Sequence, residues 1–256
     1  MNKKKRFVLA GNLSAAVLQI CGLVLLAAGC LSTVLQKVLG VGQVTNLQLL
    51  ETIQTDPNGM TLATVALICQ ILEVCAGPLF AFLFVEGAVH TKSFGRYLLR
   101  VIVFALVCEI PHNFLLHGTA LGPGELNPAF AAVFGLAMLF FFRTFPEKSA
   151  GHIAIKIIAV LGTFLWSNFL GVTFGGPCVL ITAVFWMTKE RRGLQLFFGT
   201  IICIACSVFS PLYLSSALAI IVIFFYGGKR GRELRLLRYL GYPVILLLFC
   251  MLSLFV

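Results

Sequence analysis

The apolar residues of this chain lie in nine long runs that short polar segments separate. A membrane-spanning helix needs about 20 mainly apolar residues, and most of these runs approach or exceed that length. Apolar and polar residues do not alternate within them, which excludes the strand pattern of a β-barrel. The pattern therefore predicts an all-α polytopic bundle of about nine transmembrane helices. The predicted helices cover residues 10–36, 60–85, 96–116, 127–144, 152–171, 173–188, 194–210, 212–227 and 238–256.

The composition agrees with a membrane environment for most of the chain. Of 256 residues, 60% are hydrophobic and 11% are charged, whereas soluble domains have about 45–50% apolar and about 25% charged residues. A soluble enzyme, a disordered chain and a secreted disulfide scaffold are thereby excluded. The longest connection, residues 37–59, is too short for a core of its own. Residues 1–256 are predicted to form a single integral membrane domain.

Lysine and arginine residues cluster in every second connection between the predicted helices. All 19 of them except Lys37 fall on the same side of the predicted bundle. Because cytoplasmic loops carry the excess of basic residues, the N-terminus is predicted to be cytoplasmic and the C-terminus to lie outside. The basic clusters are Lys3–Arg6, Lys92–Arg100, Arg143–Lys156, Lys189–Arg192 and Lys229–Arg238.

The positions of these clusters also explain the formal net charge of +10. In a soluble protein that charge would favour a nucleic-acid partner, but here the basic residues orient helices and meet anionic headgroups. We therefore predict membrane lipids as partners and predict no binding of nucleic acid. The nine cysteines lie in apolar runs, where they behave as small hydrophobic residues. Although Cys203 and Cys206 have a CxxC spacing, no second pair accompanies them, so we predict no metal site and no permanently bound cofactor.

Ionisable residues inside apolar runs are costly and are therefore the first candidates for function. Glu86 and His90 are four residues apart near the inner end of the second predicted helix, on one helical face. A carboxylate at that distance would hold the imidazole in one tautomer, as a general base requires. The alternative is an interfacial helix end whose side chains reach water and headgroups.

The next predicted helix carries both basic and acidic candidates. Arg96 and Arg100 share one face beside Tyr97 and would clamp a phosphate-bearing ligand from the cytoplasm, unless they only anchor the helix. Glu109 lies about 20 Å from Arg96 at 1.5 Å rise per residue, towards the outer leaflet. It is expected to be neutral or paired with an arginine or histidine of another helix, and Asn127 is expected to cap a helix.

The stretch 78–111, PLFAFLFVEGAVHTKSFGRYLLRVIVFALVCEIP, closely resembles the signature region of TraX-family membrane proteins. The pattern consists of a proline, a phenylalanine-rich helix, V-E-G, a histidine-threonine pair, Y-L-L-R and E-I-P. FYGGKRG at 225–231 and Tyr242-Pro243 fit it as well. The matching residues in the central stretch are Pro78, Phe80, Phe82, Glu86, Gly87, His90, Thr91, Tyr97, Arg100, Glu109 and Pro111.

The resemblance implies a multi-pass protein of the bacterial inner membrane. TraX itself is associated with acetylation of conjugative pilin, and its family is similar to membrane acyltransferases that use acyl-CoA. Acyl-CoA is then the expected co-substrate, with a protein or small molecule as acceptor; neither the acceptor nor the oligomeric state follows from the sequence. The expected catalytic residues are Glu86, His90 and Glu109. The expected donor-binding residues are Arg96, Tyr97 and Arg100.

The chain also departs from the family pattern. The first helix lacks the usual aspartate-histidine pair, and Val244 and Ile245 stand where a histidine usually follows Tyr242-Pro243. Losing a general base costs typically about 10²–10⁴-fold in rate. A catalytically inactive relative that binds a partner or lipid is therefore the main alternative. A small transporter is less favoured, because the later predicted helices carry almost no ionisable residue in their centres.

Overall fold

The computed structural model describes residues 11–41, 57–120, 124–147, 149–231 and 235–255. These residues form an all-α fold with one small sheet, and each of the nine predicted apolar runs contains helix, so the all-α part of the predicted fold class is confirmed. The α-helices are α1 (Ala15–Val38), α2 (Pro57–Val74), α3 (Ala76–His90), α4 (Phe94–His117), α5 (Ala129–Thr144), α6 (Ala150–Phe169), α7 (Gly175–Met187), α8 (Arg192–Ala205), α9 (Leu218–Phe224) and α10 (Arg235–Ser253).

Four helical segments among the described residues are long and apolar enough to cross a membrane: Ala15–Val38, Pro57–His90, Phe94–His117 and Ala150–Phe169. The shorter apolar helical segments, of 10–17 residues, are Ala129–Thr144, Gly175–Met187, Arg192–Val208, Pro211–Phe224 and Tyr239–Ser253. The chain is therefore a membrane protein, whereas the nine crossings and the orientation stay predictions. The basic cluster Lys3–Arg6 and the acids of the 37–59 connection, Glu51 and Asp56, lie outside the described residues.

The second long segment is two helices rather than one. It turns at Cys75, whose backbone N–H donates to the Leu72 carbonyl at 3.1 Å, and α3 begins at Ala76. Pro78 lies in the first turn of α3, where a missing N–H removes no helical hydrogen bond. The local sequence therefore permits a bend at this point. Helix α2 therefore ends at Val74, and α3 begins at Ala76.

Helix α3 forms the centre of the bundle, where it packs against α1, α5, α7 and α9. Its Leu79, Phe82 and Val85 are completely buried. The Phe82 ring makes edge contacts with Phe185 at 5.8 Å and with Tyr226 at 5.2 Å between centroids. Since aromatic pairs of this geometry add to the stabilisation from burial, α3 holds its polar C-terminal turn in a fixed position.

A short parallel sheet joins the start of α1 to the glycine-rich basic segment. Strands β1 (Leu13–Ser14) and β2 (Tyr226–Lys229) pair, and the Ala16 N–H donates to the Arg230 carbonyl at 3.3 Å. A side chain at Gly11 would overlap the backbone of Phe225, so the close approach of the two strands requires glycine. The pairing places Arg230 beside the first turn of α1.

Candidate functional site

A cavity of about 600 Å³ lies between α1, α3, α4, α5, α7, α10 and β2. One end carries polar side chains, which we call the polar mouth: Gln19, Glu86, His90, Tyr97, Arg100 and Arg230. The other part, which we call the apolar interior, is lined by Leu23, Leu26, Ala76, Gly77, Phe80, Phe104, Ala129, Phe174 and Cys178. Its volume lies within the range of about 300–1,000 Å³ typical of ligand sites.

Exposure changes sharply along the cavity. The His90 side chain is 68% exposed and Arg100 is exposed at the mouth. In the interior, Ala76 is completely buried and Leu26 is 6% exposed. The cavity therefore opens at its charged end and becomes mainly apolar with depth.

Glu86 and His90 lie together at the mouth, in the last turn of α3. His90 Nδ1 is 2.8 Å from the Glu86 backbone oxygen and 3.7 Å from the Glu86 carboxylate. Because a carbonyl oxygen only accepts, Nδ1 donates to it, and the neutral ring keeps its Nε2 as the acceptor. The backbone thus selects the tautomer that the sequence analysis attributed to the carboxylate, and the carboxylate stays close enough to stabilise an imidazolium.

Tyr97 and Arg100 reach the same mouth from the first turns of α4. The Tyr97 hydroxyl lies where a side chain on Gly87 would be, and the Tyr97 ring contacts Phe94 edge to face at 6.4 Å. Gly87 therefore allows α3 and α4 to approach each other at the mouth. Arg100 is one turn further along α4 and also lines the cavity. Two predicted donor-binding residues thus share a cavity with two predicted catalytic residues.

Arg96 is placed differently. Its Nε donates to the Ser93 hydroxyl at 3.1 Å, at the start of α4, and the residue is exposed. It does not line the cavity. The sequence predicted that both arginines would face one ligand, but only Arg100 lines the cavity, and Arg96 lies outside it.

Sequence reasoning missed Arg230 and Gln19 as residues of the mouth. Arg230 was assigned to the basic cluster that orients the helices, and nothing local links it to residues 86–100. The β1–β2 pairing brings it there from the far end of the chain. The resemblance of FYGGKRG to the family pattern was the one signal in the sequence that pointed to this segment.

Arg143 and Arg192 stabilise the helices around the mouth. Arg143 Nη1 donates to the Ala88 carbonyl at 2.8 Å, which satisfies one of the free carbonyl groups in the last turn of α3. The Arg192 guanidinium lies 4.7 Å from the Phe82 ring centroid and donates to the Ile223 carbonyl. Both cations hold the end of the bundle where the mouth opens.

Glu109 lies away from this cavity, at the junction of α4 and α5. Its Oε2 accepts from the Asn127 backbone N–H at 3.1 Å and from Asn127 Nδ2 at 2.6 Å, and its Oε1 accepts from Asn113 Nδ2 at 3.1 Å. The partners are amides rather than the expected arginine or histidine. Asn127 Oδ1 in turn accepts from the Ala129 N–H at 2.9 Å, so Asn127 caps α5 as predicted.

Glu73 shows a third environment for an acid in this bundle. Its carboxyl group lies directly against Gly29 of α1, where an added side chain would overlap it. Ser32 Oγ donates to the Ala66 carbonyl at 2.8 Å across the same pair of helices. Gly29 therefore permits the close packing of α1 on α2 around a carboxyl group that does not line the cavity.

The long apolar helices indicate a membrane protein, and the cavity with its charged mouth is its candidate functional site. The chain belongs to the TraX protein family, whose model matches residues 56–253. This result confirms the family identified from residues 78–111, and it includes α2 to α10 but not α1. A search of curated proteins and a search of solved structures each found no significant match.

Proposed function

We propose that this protein is a membrane acyltransferase that moves an acyl group from acyl-CoA to an amine or another acceptor at the membrane. The observation that carries the proposal is the convergence of Glu86, His90, Tyr97 and Arg100 on one cavity. These residues come from two helices. A mere helix anchor would require only that each reach water, whereas a site requires that they face a common space.

The donor is bound through its phosphates at the mouth. Arg100 and Arg230 both line this end of the cavity, and a guanidinium binds phosphate oxygens in pairs. Tyr97 presents an aromatic ring beside them. This arrangement directs the thioester of the donor towards His90 and leaves the bulk of coenzyme A outside the bundle.

In the transfer step the nucleophilic atom of the acceptor attacks the carbonyl carbon of the thioester. A new bond to the acceptor forms and the carbon–sulfur bond breaks. His90 Nε2 takes the proton of the acceptor and passes it to the departing thiolate, which leaves as the free thiol of coenzyme A. Glu86 stabilises the transient imidazolium, since its carboxylate is 3.7 Å from Nδ1. General base catalysis of this kind contributes typically about 10²–10⁴-fold.

For Glu109 we propose a positioning role in place of the catalytic one. Its hydrogen bonds to Asn127 fix the start of α5. Helix α5 supplies Ala129, Ala131 and Ala132 to the cavity wall. Glu109 thereby sets the shape of the cavity without contacting the ligand.

We also propose nine crossings of the bacterial inner membrane, with the N-terminus and the mouth at the cytoplasmic face. The basic residues of the mouth and the alternation of basic connections support this orientation. Since coenzyme A thioesters are cytoplasmic, the mouth would meet its donor there. In this arrangement membrane lipids surround the bundle and contact the outward-facing side chains of its helices.

The test is transfer of a labelled acyl group in isolated membranes by the wild type and by His90→Ala. We expect a loss of about 10²-fold or more, because the base is removed. His152→Ala is a matched control: its Nδ1 lies 3.5 Å from the Glu147 carboxylate, yet the pair is outside the cavity. Equal transfer by His90→Ala and the wild type would remove His90 from the mechanism.

A catalytically silent family member that binds the donor is the second candidate. The face of α1 at the cavity favours it, because its lining residues Ala15, Ala16, Gln19, Leu23 and Leu26 carry no ionisable side chain. This candidate predicts saturable binding of acyl-CoA in calorimetry with no transfer to any acceptor. Transfer that depends on His90 would exclude it.

A further inference from the structure

We infer that the apolar interior binds a single long hydrocarbon chain whose anionic head group lies at the polar mouth. The inference rests on the proposed function and deepens it by naming the donor: a long-chain acyl thioester rather than acetyl-CoA. It depends on the lining, the depth and the deep end of the cavity.

The lining below the mouth is mainly apolar. Helix α1 contributes Leu23 and Leu26, α3 contributes Phe80 and Phe84, and α4 contributes Phe104, while the buried Tyr242 of α10 adds one hydroxyl group. A space with so few hydrogen-bond partners offers little to water. Burial of hydrocarbon is therefore the interaction that this wall offers, while the charged groups at the mouth hold the head outside it.

The depth of the interior approaches one leaflet of a bilayer. On α3 the lining extends from Glu86 at the mouth to Ala76, and on α1 it extends from Gln19 at the mouth to Leu26. At 1.5 Å per residue these two walls are about 15 Å and about 10 Å long. The hydrocarbon core of a bilayer is about 30 Å thick, so about 15 Å is the length of one lipid chain. An acetyl group would occupy only the mouth.

The deep end has space that a larger residue would fill. A Cβ added at Gly77 would meet only the Phe174 ring, at 3.9 Å, and both residues line the cavity. No charged residue lines this end, where Pro128, Ala129 and Cys178 complete the wall. Gly77 therefore leaves open the part of the cavity that the end of a long chain would occupy.

The first experiment measures binding of acetyl-, octanoyl- and palmitoyl-CoA to the full chain in amphipol, which avoids competition from a bilayer for the acyl chain. Each methylene moved from water into an apolar site strengthens binding by up to about fourfold. We expect octanoyl-CoA to bind at least about tenfold more tightly than acetyl-CoA, and palmitoyl-CoA more tightly still. Equal affinities for the three, or a preference for acetyl-CoA, would overturn the inference.

The second experiment compares Gly77→Leu with Gly162→Leu. Gly162 lies on α6 with open space around its Cβ position and does not line the cavity. We expect Gly77→Leu to reduce the ratio of palmitoyl-CoA to acetyl-CoA affinity by about tenfold, because its side chain shortens the cavity, and Gly162→Leu to leave the ratio unchanged. An unchanged ratio in Gly77→Leu contradicts the inference; should that variant not fold, Ala129→Leu provides the same test.

Binding of palmitate and of palmitoyl lysophosphatidic acid is measured as well. Because neither molecule is an activated acyl donor, their binding tests the cavity assignment independently of the proposed transfer reaction. Chain-length dependence with palmitoyl-CoA but no acyl transfer would support the cavity assignment and refute the transferase. Transfer from acetyl-CoA without chain-length dependence would refute the cavity assignment alone. Binding of palmitate or the lysolipid with no binding of palmitoyl-CoA would overturn the thioester as the source of the chain.

Discussion

The polar mouth and the α4–α5 junction both contain a glutamate, but they use it differently. At the mouth, Glu86 is 3.7 Å from a histidine ring that is 68% exposed. At the junction, Glu109 accepts three hydrogen bonds from Asn113 and Asn127, and Asn127 is completely buried. The Glu86 carboxylate lies near a group that can move a proton, whereas the Glu109 carboxylate accepts three hydrogen bonds from amide donors. The two residues are of the same type, so the partners of each carboxylate are what distinguish a candidate catalytic glutamate from a structural one.

The largest effect that tests this comparison is expected on stability. In Glu109→Ala the Asn127 backbone N–H loses its acceptor, while Asn127 Nδ2 keeps the Ala105 carbonyl at 2.9 Å. An unsatisfied buried donor costs about 1–3 kcal/mol. We expect a loss of this size, read as a lower unfolding temperature in detergent. Glu86→Ala should cost less than about 1 kcal/mol, because the Glu86 side chain, although only 12% exposed, contacts an imidazole that is 68% exposed and can turn to water.

The two variants should also separate in activity. Glu86→Ala is expected to lower acyl transfer while the protein keeps its unfolding temperature, and Glu109→Gln to recover part of the stability because its amide oxygen still accepts. If Glu86→Ala and Glu109→Ala destabilised the protein equally, the distinction between a reactive glutamate at the polar mouth and a structural glutamate at the α4–α5 junction would be wrong.

The sequence predicted the membrane class, the positions of the apolar helices and the family. These features follow from long apolar runs and from the motif of residues 78–111, which lies mainly on α3 and α4 and is therefore local in the chain. The predicted pair Glu86 and His90 is likewise local, because four residues make one helical turn.

Contacts between distant segments were beyond that reasoning. Arg230 reaches the mouth through strand pairing with residues 13–14, which no apolar periodicity reports. Glu109 was expected to be neutral or paired with an arginine or histidine, and the structure supplies amide donors from Asn127 and Asn113 in place of the charged partner. The break at Cys75 was also missed, since the apolar run 60–85 continues through it. The contacts of Arg230 and of Asn127 depend on packing partners that are remote in the sequence.

A second prediction concerns the cations of the mouth. Arg100 lines the cavity, and a hydrogen bond to a charged group contributes about 1.5–3 kcal/mol. Arg100→Ala is therefore expected to weaken acyl-CoA binding by about 10- to 100-fold, measured by calorimetry at low salt. Arg100→Lys should recover the charge but not the paired geometry, so its affinity should lie between the other two. Wild-type affinity in Arg100→Ala would remove this residue from the donor site.

The smallest effect is expected at Arg96, four residues earlier on the same helix. Its Nε bonds to Ser93 and its side chain is exposed outside the cavity, so Arg96→Ala should change acyl-CoA affinity by less than about twofold and stability by less than about 0.5 kcal/mol. The same calorimetric titration as for Arg100→Ala provides the measurement. A loss at Arg96 as large as that at Arg100 would mean that the donor lies across the outer surface of α4 rather than in the cavity, and the mouth would then no longer be the donor site.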